Sequence, residues 1–430
     1  MSGSQTGAML IWYRILYAFC FVCMIPWLFW TQMVRRKPQN VWKRLTPQVS
    51  NPVPGSGPLV WVHAVSVGEV HAVAPVVARL RAARPQLRFV VSTTTQTGQE
   101  VAKKILPYAA AHLFMPFDFR FSVRRAFRLG NPTLVMFSEG DLWPCFMSEA
   151  RQRGAVLAVV NAKISTTTAR RLQRWRSFGQ WLYSFVDLFC FQSEEMASRA
   201  RALGIREEAI HVTGSTKADV SVSIMSDEEK NDLRTSLGLI STDRLIVLGS
   251  SHEGEEDGIL TRLAPIIRTH PGLRLVVVPR HPERFTGVAE HLKEAFGSVV
   301  KLSTYNGSAH WDILVVDKLG MLTQLYQIAA LAIVCGSFVQ RVGGHNILEP
   351  AVVGVPTIVG PHMHSQQMLF ESALEASAVL QVTYDTLPQI ITELLEKKEA
   401  WSQASTAAKA WANSLRGATE KTVSLLLNKF

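Results

Sequence analysis

The chain has 430 residues, 47% hydrophobic and 18% charged, which is long for one domain and ample for two with buried cores. Its 45 Lys and Arg against 34 Asp and Glu leave a formal charge of +11, which favours an acidic partner: nucleic acid, anionic lipid or a phosphorylated substrate. Cys20, Cys23, Cys145, Cys190 and Cys335 are too scattered for a disulfide framework.

The first element is apolar. Residues 15–34, "ILYAFCFVCMIPWLFWTQMV", run for 20 positions without a charge, about the length a helix needs to cross a bilayer core. Trp12, Tyr13, Trp27 and Trp30 suit an interfacial belt, and Arg35, Arg36 and Lys37 place the C-terminal side in the cytoplasm by the positive-inside rule. Cys20 and Cys23 lie inside this run without the polar context of a redox or zinc motif. No small-residue cleavage site marks a secretory signal. A membrane anchor is expected; Pro26 and Gln32 leave open a helix that lies in the interface instead of spanning.

A Pro/Gly-rich linker, residues 46–58, separates this anchor and its basic flank (residues 1–45) from the remainder. From there short apolar runs alternate with helical stretches: "LVWVHAV", "LRFVVSTTT", "PTLVMFSEG", "AVLAVVNAK", "LFCFQSE" and "AIHVTGS", then "RLIVLGSS", "RLVVVPRH", "DILVVD", "LAIVCGS" and "VPTIVGP". Continuous apolar strands between helices describe parallel sheets covered on both faces. Polar residues 221–243 mark a boundary between the two series. The expected fold is α/β, two doubly wound Rossmann-like domains facing a cleft, over residues 46–222 and 223–410. On this reading the α/β core begins only after the linker, so removing residues 1–34 should leave it folded. Neither G-x-G-x-x-G nor a Walker loop is present, which argues against dinucleotide and P-loop readings.

Ligands of such sheets bind beyond the carboxyl ends of the strands. Polar residues recur there: Ser66, Gly68 and Glu69; Glu139 in "SEGDLWP"; Lys217 in "GSTKAD"; His252 in "SSHEGEE"; Pro279, Arg280 and His281 in "PRHPERF". The loop "GGHNILEP" holds Gly344, His345, Asn346, Ile347, Leu348 and Glu349. Asn346 and Glu349 have the spacing of a capping box. The same glycines and helix start would equally admit a phosphate, with the carboxylate accepting from sugar hydroxyls.

In order along the chain, "HAVSVGE", "SEGDLWP", "GSTKAD", "SSHEGEE", "VPRHPERF" and "GGHNILEP…GVPTIVGPH" resemble the 3-deoxy-D-manno-octulosonic acid (Kdo) transferases of Gram-negative lipopolysaccharide and lipid A synthesis. The resemblance implies a GT-B glycosyltransferase of the inner membrane with cytoplasmic catalytic domains. The N-terminal domain would take the acceptor lipid IVA and the C-terminal one the donor CMP-Kdo, with a last helix, residues 411–430, returning to the N-terminal domain. It implies Glu69 as the base that deprotonates the acceptor hydroxyl in an inverting transfer, with Glu139 and Lys217 stabilising the transition state. It assigns CMP to Pro279, Arg280, Leu319, Gly320, Met321, Asn346, Ile347, Leu348 and Glu349, with main-chain contact at Met321. Where the family reads "ETELWP" this chain has "EGDLWP", so Asp141 has a shorter reach than the usual glutamate.

His252, Glu255 and Glu256 raise a metal reading. Acidic residues in a first helical turn are favourable without metal, and CMP-Kdo has a single phosphate, so no cofactor is expected and His252 is assigned to shaping the cleft. Arginines at 79, 81, 84 and 88, at 120, 124, 125 and 128, and at 170, 171, 174 and 176 suit anionic lipid or acceptor phosphates. No aromatic-basic RNA motif supports nucleic acid. The competing readings are a GT-B enzyme of UDP-sugars, transferase or epimerase, and a lipid-binding scaffold without turnover.

Overall fold

The computed structural model describes residues 3–33, 40–48, 52–219, 223–307 and 309–430. Contacts divide the chain into two units, Met1–Asp219 with Leu415–Phe430, and Val220–Ser414.

The first unit is built on a parallel sheet of β1 (Leu59–His63), β2 (Arg88–Thr93), β3 (Ala111–Phe114), β4 (Pro132–Ser138), β5 (Val156–Ala162), β6 (Leu188–Phe191) and β7 (Ile210–Val212), in the order β3-β2-β1-β4-β5-β6-β7. Successive side chains supply two different cores. Trp61, Val90, Val135, Phe137 and Leu157 pack on one face, and Val60, Val62, Val91, Leu134 and Met136 on the other. The second unit repeats the plan with β8 (Arg244–Ser251), β9 (Leu273–Pro279), β10 (Val299–Lys301), β11 (Ile313–Val315), β12 (Leu331–Val334), β13 (Thr357–Val359) and β14 (Val379–Gln381), in the order β10-β11-β9-β8-β12-β13-β14. The order reverses between β1 and β4 in one sheet and between β8 and β12 in the other, and these are the switch points where such sheets open a crevice.

Strands β3, β10 and β14 are absent from the sequence reading. All three are edge strands of three or four residues with a single buried residue each, so they lack the continuous apolar run that betrays a central strand.

The helix Gly3–Met33 contains Gly7–Trp27, 21 residues of mean hydropathy 2.0, the one helix among the described residues long and apolar enough to cross a membrane. It is also packed against the first unit. Met9, Leu10 and Tyr13 lie on the core, the Tyr13 hydroxyl donates to Asp118 Oδ2 at 2.9 Å, and the Asp118 amide donates to the Tyr17 hydroxyl at 3.1 Å. Phe21 meets Phe117 and Phe119 edge-on, with ring centroids 4.9 and 5.0 Å away. Positions 9, 13, 17 and 21 form one stripe at four-residue spacing, while Ile11, Trp12, Ile15, Leu16, Phe19 and Val22 are exposed on the remaining surface. The helix is therefore joined to the α/β core through this stripe, a contact that the sequence reading did not foresee. Arg35, Arg36 and Lys37, on which orientation was read, lie outside the described residues.

The helix Ala418–Leu427 packs on the helix Val67–Ala83, with Val423 and Leu426 in the shared core. Arg84 fixes the terminus by donating to the Phe430 carbonyl at 2.8 Å.

Candidate functional site

In the first unit the segments after β1, β4 and β7 bring three predicted side chains, Glu69, Glu139 and Lys217, into one electrostatic group. Glu69 sits in the first turn of the helix Val67–Ala83, where its Oε2 accepts from the Val65 amide at 2.9 Å. Its Oε1 has no hydrogen-bond partner among the described residues. Burial, and then the nearby charges of Glu139 and Asp141, raise its carboxyl above the ordinary range, which makes it a stronger base than a solvated glutamate. Ser66 supplies the carbonyl that accepts from the Glu69 amide at 3.1 Å. Gly68 is exposed, and a Cβ there would meet nothing.

Glu139 follows β4 with φ 61, a left-handed conformation unusual for any side-chain-bearing residue. Its Oε1 lies 2.6 Å from Lys217 Nζ and its Oε2 lies 3.5 Å from Lys163 Nζ. The organiser is Asn161, a fully buried residue at the end of β5 with φ 53. Its amide donates to Glu139 at 3.4 Å, and its carbonyl oxygen accepts from the Thr216 amide at 3.1 Å, which places the turn that carries Lys217. Sequence reasoning gave Asn161, at the end of the run "AVLAVVNAK", no role. It also missed His63, buried at the end of β1, whose Nε2 lies 3.3 Å from Asp141 Oδ2. Asp141 also accepts from Trp143 Nε1 at 2.9 Å. Burial alone would raise its pKa, but His63 and Trp143 outweigh that and hold it low. The short Asp141 therefore serves this internal bond.

In the second unit the donor-side candidates line the ends of β8, β9, β11 and β12. Pro279 closes β9, and the Arg280 amide donates to the Ser251 carbonyl at 3.0 Å. Among the described residues no carboxylate lies within ion-pair distance of the exposed Arg280 guanidinium. Leu319, Gly320 and Met321 form the turn after β11, the neighbour of β9. Leu319 is exposed, and Gly320 has φ +84, so the turn offers main chain to a ligand. Ile347 and Leu348 are buried, leaving only their main chain available.

The capping box expected at Asn346 and Glu349 does not form. The helix begins at Leu348, so Asn346 lies two residues before it. Asn346 accepts from the Leu348 amide at 3.1 Å, and its own amide donates to Glu349 Oε1 at 3.1 Å instead of the glutamate reaching back to main chain. Burial raises the Glu349 carboxyl, against the pull of Asn346 and Arg280. The chain does contain a true capping box, at Ser226 and Glu229. The glycines of the loop are required by geometry. Gly343 and Gly344 have φ +81 and +86, and a Cβ on Gly344 would stand 2.2 Å from Met363 Sδ.

The acidic segment after β8 is fully engaged by the protein. Glu255 accepts from the amides of Gly336, Phe338 and His252 at 2.7, 3.0 and 2.9 Å, tying the end of β8 to the loop after β12. Glu256 accepts from Ser251 at 2.8 Å and pairs with Arg284 at 3.0 Å. Among the described residues no three His, Cys, Asp or Glu side chains gather as a metal-holding group. His252 turns to His345, with Nε2 atoms 2.8 Å apart, and His281 stands edge-on to His252 at 5.4 Å.

The arginine sets divide. Arg79 pairs with Glu420, Arg81 stacks on Tyr108, and Arg84 and Arg88 bind main-chain carbonyls, so the first set is structural and not a free lipid-docking face. Arg124 pairs with Glu149 and Arg125 binds the Pro47 carbonyl. Arg170, Arg171, Arg174 and Arg176 are exposed beside Trp175, itself 69% exposed, on two successive helices of which the second, Arg176–Tyr183, packs on the N-terminal one.

Comparison with known proteins gives a consistent result. A family model described as 3-Deoxy-D-manno-octulosonic-acid transferase (kdotransferase) matches residues 39–220. The chain is 35% identical over 352 residues to a 3-deoxy-D-manno-octulosonic acid transferase of Chlamydophila psittaci, covering 81% of this chain and 79% of that one. With the Bordetella pertussis transferase of the same name it shares 31% over 424 residues, 93% and 95% of the two chains. Among solved structures, the UDP-GlcNAc 2-epimerase of Neisseria meningitidis bound to UDP-GlcNAc superposes with TM-score 0.61 at 15% identity, over 86% of this chain and 100% of that one, which shows a shared GT-B fold alone.

Proposed function

Because the chain belongs to the 3-deoxy-D-manno-octulosonic acid (Kdo) transferase family, and is therefore a glycosyltransferase, we propose that it transfers Kdo from CMP-Kdo to the lipid A precursor lipid IVA at the cytoplasmic face of the inner membrane. The observation that carries the mechanism is Glu69: a half-buried carboxylate with raised basicity, one oxygen anchored by a main-chain amide and the other without a partner among the described residues. That oxygen takes the proton of the acceptor hydroxyl as the hydroxyl attacks the anomeric carbon, with inversion. The Glu139–Lys217 pair sets one anion and one cation beside the oxocarbenium-like centre and the leaving phosphate. Arg280 meets the donor phosphate or carboxylate, Glu349 the ribose hydroxyls, and the turn at Gly320 the cytosine edge through main chain.

The membrane reading is supported by the exposed apolar surface of the helix Gly3–Met33 and by the neighbouring Arg170, Arg171, Arg174, Arg176 and Trp175. Transfer should proceed without a divalent cation, since the donor has one phosphate and Glu255 and Glu256 are held by protein donors. Mass analysis of the lipid product tests the whole. With lipid IVA and fresh CMP-Kdo the acceptor should gain Kdo mass, in EDTA as well as without it, and UDP-sugars should give nothing. Transfer from a UDP-sugar, or dependence on added metal, contradicts the proposal.

A further inference from the structure

Two histidines of the second unit are arranged more closely than lining a nucleotide site requires. His252, in the turn after β8, and His345, in the loop after β12, stack with ring centroids 5.0 Å apart and planes 11° from parallel, and their Nε2 atoms lie 2.8 Å apart. Two imidazole nitrogens at that separation are joined only when one carries the hydrogen and the other offers its lone pair. The resting pair is therefore one Nε2–H ring and one Nδ1–H ring. His345 lies close against the main chain of Gly336, where a Cβ would stand 2.7 Å from its Cδ2.

The surroundings of the pair are positive. Arg280 and His281 at the end of β9, Arg284 in the following turn, and Arg341 in the loop before His345 all face it electrostatically. The carboxylates of the same elements are engaged elsewhere: Glu255 by three amides, Glu256 by Ser251 and Arg284, Glu253 by Arg341, and Glu349 by Asn346. Glu283 stands beside exposed His281 at 3.9 Å, and His364 lies against Gly343 in the same loop. Burial, then the neighbouring imidazoles and arginines, hold both imidazoles at about 4, so the pair is neutral at neutral pH.

We propose that His252 and His345 act as a proton-linked receptor for the phosphate of the cytidine nucleotide, taking up one proton from solvent when that anion settles beside Arg280. This rests on the reading that the second unit binds the CMP moiety. The proton has a place to go without breaking the pair: the bare Nδ1 of the ring whose Nε2–H donates. A second proton has none, because it would set two N–H groups head to head, so uptake stops at one. When the bond from the anomeric carbon to the phosphate oxygen breaks, the electron pair stays on that oxygen. The imidazolium then balances the new charge, and its proton returns to solvent as CMP leaves.

The test is calorimetry of CMP binding to the full chain in detergent, in buffers of different ionisation heat, from about pH 8 to about pH 6. CMP's own second phosphate proton has a pKa near 6, and a cationic site drives that proton off, so proton uptake on binding must come from the protein. After the proton that CMP itself sheds is added back to the measured count, the wild-type protein should take up a fraction of a proton that grows as pH falls, while cytidine, lacking phosphate, should cause none. His252→Gln and His345→Gln should still bind CMP, with affinity lowered up to about tenfold, but without uptake; a packing role alone would lower affinity and leave the proton count unchanged. Binding of CMP to the wild type with no proton uptake, or uptake undiminished in both variants, overturns the proposal and leaves the donor site standing. Failure of the wild type to bind CMP at all overturns the donor reading and this inference together.

Discussion

The two sheets reverse strand order at equivalent places, yet the residues there differ in sign. At β1 and β4 the first unit gathers Glu69, Glu139 and Asp141, each held by an amide, an ammonium or a ring N–H. At β8, β9 and β12 the second gathers His252, Arg280, His281 and His345, and spends its own carboxylates on main-chain amides and an internal arginine. One topology supplies both locations; the chemistry of the ligand decides what fills them. A site that must remove a proton keeps a carboxylate basic by burial and like charge. The site proposed to receive an anion leaves Arg280 without a carboxylate partner among the described residues, while Arg284, Arg341 and His281 each stand beside one.

Breaking each side should therefore give different kinetics. Apart from the base itself, the largest effect is expected at Lys217→Ala, which removes the cation facing Glu139: kcat should fall on the order of 10²–10³-fold while CMP affinity, measured by calorimetry, stays put. Equal losses in CMP affinity would erase the contrast between the units. Arg280→Ala should act on the other side, raising the CMP-Kdo KM by about 10–100-fold in initial-rate assays, as for a lost charge-assisted hydrogen bond. An unchanged KM places the phosphate elsewhere. Tyr13→Phe leaves the N-terminal helix apolar but deletes its bond to Asp118, and should cost about 1 kcal/mol, read as a few degrees of melting temperature in detergent. No change would mean that the helix is merely attached.

The smallest effect is the response to acid, and it should differ in sign between the units. His252 and His345 have pKa values near 4, below the unfolded value, so they contribute stability above about pH 6.5 that is lost as pH falls toward 4. Asp118 is raised by burial to about 6, above its unfolded value, so its contribution grows as pH falls from about 6 to about 4. Melting curves across this range should show a shallower acid loss in His345→Gln than in the wild type and a steeper one in Asp118→Asn.

The central strands, the apolar first helix and most of the strand-end residues were legible because burial on both faces, and the need for polar groups at strand ends, leave direct marks on composition. The edge strands β3, β10 and β14 left none. Asn161 was invisible in its role because its task is to join two loops far apart in sequence, and only the fold brings Thr216 to its carbonyl. The docking of Tyr13 and Tyr17 on Asp118 spans about a hundred residues and leaves only a four-residue aromatic spacing inside an otherwise uniform apolar run. At Asn346 the spacing was right but the helix starts one residue later than a cap there requires, which turned an expected cap into a side-chain pair with Glu349.

The account turns on Glu69 acting as the base, and the most direct measurement is the rate of Kdo transfer to lipid IVA by Glu69→Ala at saturating CMP-Kdo. Removal of a positioned base should lower that rate on the order of 10²–10⁴-fold with CMP affinity within about twofold of wild type. A folded Glu69→Ala protein that transfers Kdo at close to the wild-type rate would contradict it.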